Sequence, residues 1–144
     1  MGKTRETGKL VSDNIISSDI VKDMVGIGTT NPTSKLHIFG DVLVTGVTTS
    51  TDFNSASDIN LKTNIKTIEN PIEKILKING VTFNWKKDNR LSVGVIAQEI
   101  EEVFPELVQG EDPKTVNYNG LIALLIECIK EQQVEINILK SKLQ

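Results

Sequence analysis

Ser57 and Lys62 stand five residues apart in the stretch Ser55-Ala56-Ser57-Asp58-Ile59-Asn60-Leu61-Lys62, a spacing that could support covalent chemistry. A serine hydroxyl is a poor nucleophile until a base takes its proton. Lysine can be that base only when neutral, so its pKa must fall from about 10.4 by roughly two units or more. Burial among apolar side chains has this effect. Ile59, Leu61 and Ile65 flank Lys62, so a buried amine is expected. If Asp58 caps a short helical turn, Ser57 is N′ and Lys62 is N4, positions whose side chains meet in a hydrophobic staple. If the segment is extended, contact requires a bend or a second subunit. Ser57-Asp58 also reads as a plain helix cap, and the Ser-x-x-x-x-Lys spacing is common by chance.

One self-cleavage event is kinetically undemanding. Completion in about ten minutes needs a barrier of roughly 21 to 22 kcal/mol. An activated hydroxyl held against an adjacent carbonyl, with a donor for the oxyanion, meets that requirement without turnover or a substrate cleft.

Composition narrows the alternatives. The chain has 144 residues, 38% hydrophobic and only 4% aromatic, low for a self-sufficient globule. A net charge of −3 and a pI near 5.2 offer no basic face for nucleic acid or a membrane surface. A single cysteine, Cys128, excludes an internal disulfide and a cysteine metal cluster. A single histidine, His37, leaves little for a zinc site or a Ser-His-Asp triad. No apolar run approaches the roughly 20 residues that span a bilayer, and no signal-peptide core is present. The expectation is a soluble protein folded in a reducing cytosol, with no metal and no cofactor.

Two styles of sequence meet at the Ser57 stretch. Met1 to Gly8 is polar and reads as a tag remnant or a disordered start. From Leu10 to Phe53, short apolar pairs such as Ile15-Ile16, Leu36-His37-Ile38 and Val42-Leu43-Val44 are punctuated by Gly26, Gly28, Gly40 and Gly46. This predicts short strands that need partners, from other copies of the chain or a neighbouring domain. Gly26-Ile27-Gly28 lacks a third glycine and a following helix, so a tight turn is expected rather than a phosphate loop. His37, between two apolar neighbours, is expected to be solvated or hydrogen-bonded.

After Lys62 the signals are helical caps and a hairpin. Asn70-Pro71-Ile72-Glu73 predicts an N-cap, an N1 proline and a reciprocal N3 glutamate, with Asn79-Gly80 as a left-handed stop. Val81, Phe83 and Trp85 alternate and, with the run from Val93 to Ala97, predict a hairpin turning at Asp88-Asn89. A helix is expected over Gln98 to Phe104, with Gln98 and Glu99 either starting it or lining the site. A strand is expected over Thr115 to Tyr118. Trp85 and Tyr118 are expected in the core. Ile122, Leu125, Ile129, Gln132, Ile136, Leu139 and Leu143 form an a/d seam over a helix from Leu121 to Gln144. Such a stripe predicts self-association; its pattern alone leaves the number of copies open. Cys128 falls on the g flank as a buried or half-buried thiol.

From Ser57 onward the chain resembles the C-terminal intramolecular chaperone domain of phage endosialidases and tail fibres. That serine–lysine self-cleaving family also occurs in the eukaryotic myelin regulatory factor. The likeness is carried by Ser57 to Ile65, Gly80 to Trp85, Val93 to Glu99, Val103 to Val108 and Val116 to Tyr118. It implies an α+β fold: an intertwined homotrimer with a β-rich stalk segment over 1–56. The α/β auto-cleavage domain over 57–144 then ends in a long coiled-coil helix. It also implies cleavage of the Ala56–Ser57 bond with Ser57 as nucleophile and Lys62 as base. The substrate is the chain's own N-terminal fibre segment, and the chaperone fragment is released after assembly in the host cytoplasm. Gly26 to Thr29 and Gly40 to Gly46 resemble stalk segments more weakly. The alternative is a non-enzymatic trimerisation or receptor-binding tip in which Ser57-Asp58 merely caps.

Overall fold

The computed structural model describes residues 16–19 and 23–143. The polar start Met1–Gly8 and the apolar residues Leu10 and Ile15 lie outside the described residues. The chain divides into two compact units, Met1–Ala56 and Ser57–Gln144.

In the first unit β1 (Ile16–Asp19), β2 (Met24–Ile27) and β3 (Leu36–Ile38) form a sheet in that order. β1 pairs with β2 antiparallel, and β2 pairs with β3 parallel. The return to a parallel strand begins at Gly28, whose φ is +69°. A Cβ there would lie 2.8 Å from the Phe39 carbonyl oxygen, so both backbone angle and space require glycine. The Gly26-Ile27-Gly28 run is therefore a strand with a left-handed exit, and the next element is a strand. His37 accepts a hydrogen bond at Nδ1 from the Thr33 amide at 3.3 Å. Residues 39–56 form neither helix nor strand, so the alternation of Val42 and Val44 does not produce a paired strand within one chain. Phe39, Leu43, Val47 and Phe53 are left exposed.

The second unit is mixed α+β. Its elements are α1 (Pro71–Ile75), β4 (Val81–Asn84), β5 (Leu91–Gly94), α2 (Ala97–Val103), β6 (Val108–Gln109), β7 (Thr115–Val116) and α3 (Tyr118–Lys142). The hairpin β4–β5 turns where expected, with Asn89 at φ +56° and its amide donating to the Trp85 carbonyl at 2.8 Å. α2 ends as its pattern requires, with the Phe104 amide bonded to the Ile100 carbonyl and Pro105 following. α3 has 25 residues and is about 38 Å long at 1.5 Å per residue. It begins at Tyr118, three residues earlier than expected, because Asn117 caps it by accepting the Asn119 amide at 3.1 Å.

The core is small. Ile100, Phe104, Leu124 and Cys128 are buried, with Ile68, Ile72, Ile75, Leu107, Val116 and Leu121 among the half-buried residues packed around them. Cys128 is buried, as its flank position implied. Gly120 in the first turn of α3 lies under the Leu107 side chain, which occupies the space a Cβ would need.

Several expectations need correction. Asn70 is the N-cap of α1 but sits in the left-handed region (φ +51°) without a side-chain cap bond, so the reciprocal box does not form. Glu73 instead pairs with Lys77 at 3.0 Å. Gly80 is not left-handed. The chain leaves α1 through i→i+3 bonds from Lys77 and Ile78, and Glu99 then holds Asn79. Trp85 and Tyr118 are 47% and 55% exposed, not core. A two-stranded hairpin has no second layer over its outer face in one chain, so Trp85 stacks edge-on against Phe83 at 5.1 Å and under Arg90.

Leu124→Ala removes a fully buried side chain from this small core, so it should destabilise the unit by about 2 to 5 kcal/mol. A shift in urea midpoint with unchanged slope is the expected reading.

Candidate active site

The sequence from Ser57 to Lys62 folds locally into one turn. Asp58 is extended (φ −60°, ψ 137°), and Ile59–Leu61 is a 3-10 turn capped by it. Oδ1 of Asp58 accepts from the Asn60 amide at 2.8 Å and from Asn60 Nδ2 at 2.9 Å. The Leu61 and Lys62 amides close back on the Asp58 and Ile59 carbonyls, each at 3.1 Å. The turn ends at Leu61, so Lys62 is its extended C-cap and not the helical N4 residue of a staple, yet its side chain still reaches back to Ser57. Lys62 Nζ donates to Ser57 Oγ at 2.7 Å, within a single chain. When that nitrogen loses a proton, its lone pair is already within reach of the serine hydroxyl.

Proximity and burial separate at this point. Ile59, Leu61 and Ile65 are 69%, 72% and 63% exposed, and Ser57 and Lys62 are exposed as well. The apolar shelter expected around the amine is not supplied by its own chain. Downstream, Ile65 to Ile68 run beside α3, where they line a groove of about 230 Å³ with Ala123, Ile126 and Glu127. The segment just after the pair, Ile65 to Ile68, therefore lies beside the helix whose a/d stripe is exposed.

Ser57 and Lys62 are brought together; Gln98 and Glu99 are not part of that contact. Glu99 instead accepts from the Asn79 amide at 2.8 Å and from Asn79 Nδ2 at 3.2 Å, tying the α1–β4 connection to α2. Asn60 completes the turn: Asp58 as an Asx-turn residue is the sequence signal for the bond to its amide, and the Asn60 side chain adds a second. Among the described residues no group of three His, Cys, Asp or Glu side chains could hold a metal ion. None of the described helices is long and apolar enough to cross a membrane. Cys128 is no competing nucleophile: burial, and then the Glu131 carboxylate, push its thiol up, which lowers the thiolate fraction.

Residues 57–109 match the peptidase-family model described as chaperone of endosialidase. Both Ser57 and Lys62 fall inside this chaperone-of-endosialidase segment. The curated relatives are phage fibre proteins. The long tail fiber protein Gp37 of Salmonella phage S16 is 38% identical over 106 residues, covering 65% of this chain and 14% of that protein. Gp37 of Enterobacteria phage K3 is 38% identical over 98 residues, covering 60% of this chain and 8% of that protein. Gp37 of Enterobacteria phage M1 is 32% identical over 128 residues, covering 81% of this chain and 51% of that protein. The chain thus spans a small part of the first two relatives and about half of the third.

With its thiol protonated and enclosed, Cys128 should react slowly with a disulfide reagent at pH 8. The rate should rise sharply when guanidinium unfolds the chain, read from the released chromophore.

Proposed function

We propose that residues 57–144 form an intramolecular chaperone that trimerises, directs folding of the β stalk segment 1–56 of a phage tail fibre or tailspike, and then cuts itself free. The cut falls at Ala56–Ser57, with Ser57 as nucleophile and Lys62 as base. The observation that carries this reading is the 2.7 Å approach of Lys62 Nζ to Ser57 Oγ inside the matched segment. The enzyme is a single-turnover endopeptidase without cofactor or metal, and its substrate is its own chain.

The chemistry balances with these groups alone. Neutral Lys62 takes the hydroxyl proton as Ser57 Oγ attacks the Ala56 carbonyl carbon. The amide C–N bond then breaks, and the lysine returns its proton to the Ser57 nitrogen. An ester between Ala56 and Ser57 Oγ remains, and water hydrolyses it to an Ala56 carboxylate and a Ser57 amine terminus.

Assembly supplies what one chain lacks. Ile122, Leu125, Ile129, Ile136 and Leu139 form an exposed stripe at coiled-coil spacing. Packing three copies along it also covers the neighbouring arm with Ile65, and removing water from an amine favours its neutral form. Cleavage is thereby delayed until the oligomer exists. Aligning three chains of short strands is a slow, non-local step. A module that trimerises first sets register and raises effective concentration. Its removal leaves the fibre held by its unfolding barrier. The finished stalk belongs to the virion tail, and the chaperone fragment is released in the host cytoplasm.

The exposure of Lys62 in one chain also suits a passive trimerisation tip, and mass measurement separates the two readings. Intact mass of wild type should give fragments meeting at Ala56–Ser57, while Ser57→Ala and Lys62→Ala remain whole. An identical pattern in all three chains rejects the dyad. Light scattering of the Ser57→Ala chain should give about three times the 15.9 kDa chain mass. Adding Ile129→Asp and Ile136→Asp should reduce that to one chain, and the same pair of changes in wild type should abolish cleavage.

A further inference from the structure

We propose that Asp58 is a positioning residue for self-cleavage, acting as the acceptor that closes the turn between Ser57 and Lys62. This deepens the self-cleavage reading and rests on it. The turn Ile59–Leu61 buries no residue, and its two backbone bonds are both 3.1 Å. A single turn of helix is unstable in water without help, because nucleation orders several residues for one or two bonds. Within the chain that help comes from one carboxylate oxygen. Asp58 Oδ1 holds both the amide and the side-chain nitrogen of Asn60, at 2.8 and 2.9 Å.

Opening the turn separates the pair. Extended backbone would carry Ser57 and Lys62 to about 17 Å apart at their Cα atoms, further than the two side chains bridge. Among the described residues Asp58 makes no ion pair with Lys62, whose amine is bonded to Ser57 Oγ. The role is therefore hydrogen-bond acceptance, not charge. Asn and Ser, which cap as well as Asp, should replace it, and Ala should not.

The test follows cleavage at Ala56–Ser57 in the full chain by timed intact mass for wild type, Asp58→Ala, Asp58→Asn and Asp58→Ser. Loss of a typical cap, converted to a rate, makes Asp58→Ala about fivefold slower. Asp58→Asn and Asp58→Ser should stay within about twofold of wild type. Light scattering of each variant in the uncleavable Ser57→Ala background should give the same oligomer, and hydrogen exchange there should show a faster Asn60 amide only with Asp58→Ala. A wild-type rate for Asp58→Ala overturns the positioning role and leaves the dyad intact. Equal slowing of Asp58→Asn and Asp58→Ala overturns it in favour of charge. If wild type is not cut at Ala56–Ser57, or the Ser57→Ala chain is, the self-cleavage reading itself fails. Should Asp58→Ala not assemble, slow cleavage by well-assembled Asp58→Ser still counts against the inference.

Discussion

Helix α3 carries more apolar surface than one chain covers. Leu124 and Cys128 on one side enter the core against Ile100 and Phe104. Ile122, Leu125, Ile129, Ile136 and Leu139 on the other side remain in solvent. At about 25 cal/mol per Å² of apolar surface, an uncovered stripe along such a helix is a strong drive to associate. Among the described residues the core behind it has four buried hydrophobic side chains, too few for a domain of this size to be comfortable alone. The exposed Trp85, Tyr118, Leu43 and Val47 tell the same story in other parts of the two units.

This imbalance bears directly on the chemistry. Two conditions must hold for a serine–lysine pair to act: the atoms must be close, and the amine must be able to give up its proton. The first is met within six residues by a capped turn. The second depends on water being excluded, and Ile59, Leu61 and Ile65 stand in water. Under the proposed self-cleavage, the first condition belongs to local structure and the second to assembly, so cleavage would wait for the oligomer.

Features with local causes were legible in the sequence. The β4–β5 hairpin, the end of α2 at Pro105 and the a/d stripe of α3 follow from periods of two and 3.6 and from turn residues whose preferences act over a few positions. The contact between Ser57 and Lys62 is local too, though it comes from a three-residue turn with Lys62 as its extended C-cap and not from the N′/N4 staple. Two features were not legible, one of them local and one set across the fold. Asn70-Pro71-Ile72-Glu73 has the residues of a capping box, yet Asn70 takes a left-handed conformation and Glu73 turns to Lys77. Alternation in Val81, Phe83 and Trp85 defined a strand but could not say whether another layer covers its aromatic face.

The order of residues by itself determined the β4–β5 hairpin, α2, α3, the division of styles near Ser57 and the spacing that lets an amine meet a hydroxyl, because all of these arise from bonds and sterics within a turn or two. Only the tertiary structure decided which face of α3 is spent on the core, that Glu99 clamps Asn79 instead of facing the pair, and that the apolar residues around Lys62 lie open. Burial is a property of what packs from a distance, and no local pattern encodes the neighbour that will or will not arrive.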